Sequence, residues 1–112
     1  MEANFGEYIR KLRTKNNFTL TQLGAKLGID SGALSKIETG KKEFDEKCLV
    51  KLSYIFGLDI EDLKTEYFGD QFAKKMYQYN CSLKTLTVAE EKMNYLKNIN
   101  VKQGEINFDN DK

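Results

Sequence analysis

The sequence predicts an all-α fold, and three observations predict it. Apolar residues recur at i, i+3 and i+4 through most of the chain. Each such segment opens on Asn, Thr or Asp, and several close on glycine, the residue pair that starts and stops helices. Before position 100 no apolar run alternates with the period of two that a half-buried strand needs.

The elements follow in order. Phe5, Ile9 and Leu12 form one helical stripe, with Asn4 placed to cap it and Asn16-Asn17 to end it. Thr19 caps a second helix carrying Leu20, Leu23, Gly24 and Leu27, and Gly28 closes it with the positive φ that glycine tolerates. Ile29 buries in the corner. Asp30 caps a third helix with Leu34 and Ile37 inside, ended by Gly40. After the polar connection Lys41–Glu43, Asp45 is expected to cap a fourth helix bearing Cys48, Leu49, Leu52, Ile55 and Phe56, closed by Gly57. Asp59 caps a fifth with Ile60, Leu63 and Tyr67. These five helices make one compact domain over residues 4–66.

Residues 67–102 read as a helical hairpin. Phe68, Phe72, Met76 and Tyr79 have helical spacing with Asp70 as cap, and Asn80–Thr85 is the turn. Thr87 with Glu90 makes a capping-box pattern ahead of Ala89, Met93 and Leu96. Residues 103–112 are polar and expected to fray, although Ile106 and Phe108 alternate like a short strand. No internal repeat is present.

Composition excludes several functions. The 112 residues contain no histidine, so histidine base catalysis, Ser-His or Cys-His nucleophiles and histidine metal ligands are absent. Cys48 and Cys81 stand 33 positions apart with no CxxC, which leaves a zinc or redox motif without support and suits reduced thiols. Asp59, Glu61 and Asp62 sit at a helix start, where carboxylates complement the dipole, so they are not read as catalytic. The N-terminus lacks a signal-peptide pattern and no apolar run is long enough to span a bilayer, so a cytoplasmic protein that does not engage the membrane is expected. No cofactor and no metal are expected.

Net charge is only +1, but it is unevenly spread. Residues 1–44 carry eight Lys/Arg against five Asp/Glu, while residues 45–112 carry ten lysines against twelve acids. The N-terminal half is therefore the part suited to an anionic partner. Within it, Phe18–Gly40 places two short helices about the turn Leu27-Gly28-Ile29-Asp30, with a side chain no larger than methyl accommodated at position 24 so that the helices cross closely. This helix-turn-helix presents the third helix to a groove.

Residues 5–66 resemble the lambda-repressor-like, XRE/Cro-type helix-turn-helix family. The resemblance rests on Ile9-Arg10-Lys11-Leu12-Arg13, on Leu20, Leu23-Gly24 and Gly28-Ile29, on Leu34-Ser35-Lys36-Ile37-Glu38-Thr39-Gly40, and on Phe56-Gly57-Leu58-Asp59. Three positions depart from it: Leu20 replaces a frequent phosphate-binding Gln, Gly24 replaces alanine, and Phe44 stands where proline is common. The resemblance implies a sequence-specific transcriptional regulator, a repressor or autoregulator, that reads double-stranded DNA at a palindromic operator. Ser31, Gly32, Ser35 and Lys36 would face base edges, with Lys36 able to donate to guanine O6 and N7. Thr19, Thr21, Thr39, Lys41 and Lys42 would lie along phosphates. Arg13 and Glu38 would bridge the first and third helices as a structural ion pair. Because Gly32 offers no side chain, DNA shape, water, Ser31 and Ser35 would share the readout.

The hairpin holds more apolar surface than it can hide alone. It either packs back on the domain or forms a homodimer interface through Phe68, Phe72, Met76, Tyr79, Met93 and Leu96, and the homodimer is the expectation. Small regulators of this type include phage repressors, restriction-modification controllers and antitoxins. The compact layout resembles the controller type, and the alternative is an antitoxin whose C-terminal region binds a toxin. No small-molecule ligand is expected.

Overall fold

A computed structural model describes residues 2–103, and within them every regular element is helical. In order these are α1 (Phe5–Lys15), α2 (Leu20–Leu27), α3 (Ser31–Glu38), a 3-10 turn (Glu46–Cys48), α4 (Leu49–Phe56), α5 (Ile60–Gln78) and α6 (Lys84–Gln103). The all-α class expected from the sequence is the class observed. The expected tail and the possible strand at Ile106 and Phe108 lie outside the described residues.

Local chemistry places the first helices. Asn4 Oδ1 accepts the Glu7 N–H at 2.9 Å and starts α1. Thr19 Oγ1 accepts the Gln22 N–H at 3.0 Å while Gln22 Oε1 accepts the Thr19 N–H at 2.9 Å, a reciprocal box that satisfies two otherwise orphaned donors of α2. Asp30 Oδ1 accepts the Ala33 N–H at 2.8 Å and starts α3. Asp45 differs from expectation. It caps the 3-10 turn through the Lys47 N–H at 2.9 Å, and α4 begins only at Leu49.

The chain divides at Lys74–Lys75 into two compact units. The first has a core of Phe5, Ile9, Leu23, Leu27, Leu34, Ile37, Phe44, Leu49, Leu52, Leu63 and Tyr67, to which every helix from α1 to α5 contributes. Aromatic rings pack against one another within it: Phe5 meets Tyr67 edge-on at 5.1 Å between centroids and Phe44 at 5.5 Å.

Two expected boundaries move. No break separates Tyr67 from Phe68, and α5 runs on for 19 residues through the expected end of the domain at residue 66. Asp70 does not cap a helix of its own. Its Oδ2 accepts the Phe5 N–H at 3.2 Å and pairs with Lys74 at 3.0 Å, so the residue serves the start of α1. Likewise Thr87 lies inside α6, because the chain has already turned at Asn80, which adopts φ 55° and lets the Cys81 N–H reach the Met76 carbonyl at 2.8 Å. In the second unit every residue from Tyr77 to Asn98 is exposed on the single chain. None of the described helices is long and apolar enough to cross a membrane.

Candidate nucleic-acid interface

The geometry begins at the corner between α2 and α3. Gly28 takes the left-handed conformation, φ 77° and ψ 30°, and the next N–H, that of Ile29, returns to the Gly24 carbonyl at 2.8 Å. This reverses the chain within one turn. A Cβ built on Gly24 would collide with the Ile29 carbonyl oxygen. The methyl group expected to fit at position 24 therefore does not fit this backbone, and glycine is required by contact rather than merely allowed.

With the corner set, the faces of α3 follow from its period. Leu34, Ile37 and Glu38 turn inward and are buried. Ser31, Gly32 and Lys36 are exposed on the opposite face, and Ser35 is half-buried at its margin. Beyond the helix Thr39 is exposed, its hydroxyl donating to the Ser35 or Lys36 carbonyl at 3.1–3.2 Å. Gly40, at φ 83°, folds the chain back so that the N–H groups of Lys41 and Lys42 both donate to the Lys36 carbonyl, at 2.8 and 3.2 Å. The backbone of this pair is thus occupied, while both ammonium side chains stand in solvent. At the start of α2, Thr19 and Thr21 are exposed. The Thr19 oxygen is spent on the cap, but its hydroxyl hydrogen stays available to an acceptor.

Arg13 and Glu38 meet beneath this surface. Arg13 Nε donates to Glu38 Oε2 at 2.7 Å and Nη2 to Oε1 at 3.0 Å, while Nη1 donates to the Phe18 carbonyl at 3.0 Å. The side chains are only 13% and 4% exposed. Hydrogen bonding to Glu38 raises the Arg13 pKa in spite of burial. The pair ties the end of α1 to α3 and, through Phe18, to the approach to α2.

Several contributors escape a reading of the sequence. Gly6 lies directly under the Ile37 and Glu38 carbonyls, where a Cβ would collide with the Ile37 oxygen. A glycine within a helical stripe was the signal for it. Lys26 stands 5.5 Å from the Phe18 ring centroid, a cation over an aromatic face. The loop after α3 is held from α5: Tyr67 Oη donates to the Phe44 carbonyl at 2.8 Å, Gln71 Nε2 donates to Glu43 Oε1 at 2.7 Å, and Lys74 pairs with Glu43 at 3.3 Å. Burial opposes the Lys74 charge, but Asp70 and Glu43 together outweigh it and raise its pKa.

Two short helices about a left-handed glycine, the second with an inner apolar face and an outer polar one, define the motif. The helix-turn-helix family model HTH_3 matches residues 9–63, from within α1 to the start of α5. Residues 9–63 thus fold as a helix-turn-helix and match that family's model. The chain is also similar to a relative from Bacillus subtilis strain 168, described as an SPbeta prophage-derived uncharacterized HTH-type transcriptional regulator, YonR. The two are 39% identical over 59 residues. The chain spans about half the length of that relative, since the match covers 53% of this chain and 55% of the other. A solved SinR protein/SinI protein complex aligns over 83% of this chain and 97% of its own at 18% identity, with a TM-score of 0.45.

The residues expected in a dimer interface do not share one environment. Phe68 is half-buried against the core of the first unit and stacks edge-on with Tyr67 at 5.0 Å. Met76 is half-buried, whereas Phe72, Tyr79, Met93 and Leu96 are 59%, 66%, 54% and 42% exposed.

Proposed function

We propose that this protein is a sequence-specific DNA-binding transcriptional regulator, a repressor or autoregulator, that lays α3 in the major groove as a homodimer. The observation that carries the reading is the division of α3. Leu34, Ile37 and Glu38 hold it to the domain, and Ser31, Gly32, Ser35 and Lys36 are left on its outer side, with the ammonium groups of Lys41 and Lys42 just past its end. A helix presented in this way fits the major groove, and lysines at its margin fit the phosphates. Lys36 is the cation able to donate to guanine. Gly32 contributes only a close approach, so part of the discrimination falls to DNA shape and bridging water. Thr19, Thr21 and Thr39 supply hydroxyl donors to the backbone.

The second unit supports the dimer. A helix whose residues from Lys84 to Asn98 are all exposed on the single chain, Leu86, Val88, Met93, Tyr95 and Leu96 among them, is marginal in water without a partner. A second copy of the same helix would cover it and would bring two recognition helices to one duplex. The relative's prophage origin favours a phage-type repressor over the controller and antitoxin types.

Selection of bound duplexes from a randomised pool tests the reading. The expected product is a two-fold symmetric sequence with half-sites about one helical turn apart. A selected pool no different from the starting pool overturns it. Sedimentation at roughly tens of micromolar is expected to give a dimer, and a monomer both with and without DNA would remove that part of the proposal.

A further inference from the structure

The loop that follows α3 is fixed from both sides. On one side the N–H groups of Lys41 and Lys42 are bound to the Lys36 carbonyl, so their positions follow the end of α3. On the other, three contacts come from a single edge of α5. The Tyr67 hydroxyl holds the Phe44 carbonyl at 2.8 Å in a buried hydrogen bond, and Gln71 and Lys74 take one carboxylate oxygen each of Glu43, at 2.7 and 3.3 Å. The Phe44 side chain is itself part of the core. Glu43 matters electrostatically as well. It follows two lysines directly in sequence, and a free carboxylate there would oppose a phosphate. Gln71 and Lys74 draw that charge toward α5 and partly neutralise it.

We propose that Tyr67 and Gln71, with Lys74, are positioning residues for DNA binding: they hold the segment Lys41–Phe44 so that the Lys41 and Lys42 ammonium groups meet the phosphate backbone while Glu43 is turned away from it. The proposal rests on the DNA-binding reading above. It assigns α5 a role in affinity without any contact between α5 and DNA. Purely structural contacts would change how readily the domain unfolds. Positioning contacts would also change how many phosphates the folded protein engages, and the salt dependence of binding reads that number directly.

The test compares wild type with the double variant Tyr67→Phe, Gln71→Met. Both changes are neutral in charge, and Lys74 is kept because removing a cation would alter the slope by itself. Binding of the full chain to a mixed-sequence duplex is measured across a salt series, with circular dichroism to show that the variant is folded. Loss of one or two phosphate contacts is expected to make the log–log slope shallower by about 1–2 and to weaken binding roughly five-fold to thirty-fold near physiological salt. Gln71→Met alone changes only a solvent-exposed hydrogen bond, so it folds if the double variant does not, and it is expected to show the same direction. A folded variant with wild-type affinity and slope overturns the positioning role even if it melts earlier. Wild-type protein that binds no duplex at all instead overturns the DNA-binding reading and takes this proposal with it.

Discussion

The α-carbon of Gly6 lies so close under the Ile37 carbonyl that α1 and α3 touch backbone to backbone. No side chain fits between them, so this contact sets how deeply α3 sits in the domain and how much of its outer face remains free. Alanine at position 6 would gain roughly 1 kcal/mol of helix propensity, but it must push the two helices apart. Gly6→Ala is expected to be net destabilising by about 2 kcal/mol. Gly69 in α5 provides the contrast, because nothing lies within 4 Å of a Cβ built there. Gly69→Ala is expected to stabilise by about 0.5–1 kcal/mol. Thermal unfolding of the two variants checks both signs. A neutral Gly6→Ala would mean that the crossing is looser than the geometry indicates.

Arg13 and Glu38 are a buried pair in which each end depends on the other. Truncating Glu38 strands a guanidinium that is 13% exposed, with only the Phe18 carbonyl to satisfy it. Glu38→Ala is expected to cost about 3 kcal/mol. Arg13→Lys keeps the charge but cannot serve two carboxylate oxygens and a carbonyl in one plane, so a loss of about 1–2 kcal/mol is expected. Urea titration with an unchanged m-value is the measurement. Losses under 0.5 kcal/mol for Glu38→Ala, a bound on the scale of exposed pairs, would show that water reaches the pair.

Tyr67 makes stability sensitive to alkali. Burial raises its pKa above the ordinary tyrosine value of 10.0, and Glu46, Glu43 and Asp45 add to the shift against the opposing effect of Lys74. The folded state therefore holds this proton more tightly than the unfolded chain. Its contribution is complete below pH 10.0 and is lost as pH rises through that value toward the higher folded-state pKa. Tyr8 shifts in the same direction, through burial and then Glu66, so the wild type alone does not isolate Tyr67. The difference does: Tyr67→Phe is expected to be less stable than wild type at neutral pH, with the gap narrowing above pH 10.0. Parallel stability curves across that range would contradict the assignment.

Legibility in the sequence followed the reach of each interaction. Asn4, Thr19 and Asp30 bond N–H groups three residues away, and Gly28 and Gly57 adopt their conformations alone, so the starts of α1, α2 and α3 and two turns could be read directly. Asp70 misled because the same carboxylate chemistry acts over 65 residues of separation, on the Phe5 N–H, and α5 consequently continues where a new helix was expected. The outer and inner faces of α3 were legible from periodicity. The hold of α5 on the loop after α3 was not, since it joins segments that no local pattern relates, and at Gly6 the glycine within the stripe marks a close approach without naming the Ile37 carbonyl as its partner.

Lys36 and Lys42 offer the sharpest separation of roles within the proposed interface, because they differ in place but not in charge. Lys36 projects from the outer face of α3, and Lys42 from the loop beyond it. If Lys36 reads guanine, Lys36→Ala loses binding to its selected site by about 1–3 kcal/mol and relaxes preference at one base pair, while mixed-sequence DNA is little affected. If Lys42 meets a phosphate, Lys42→Ala weakens selected and mixed-sequence duplexes alike and lowers the salt slope by about 1. Competition between the two duplexes, repeated across salt concentrations, distinguishes the outcomes. Wild-type affinity and preference in Lys36→Ala would mean that α3 does not enter the groove by this face. A uniform loss in both variants would place Lys36 on the backbone and leave Ser31, Ser35 and DNA shape to carry the discrimination.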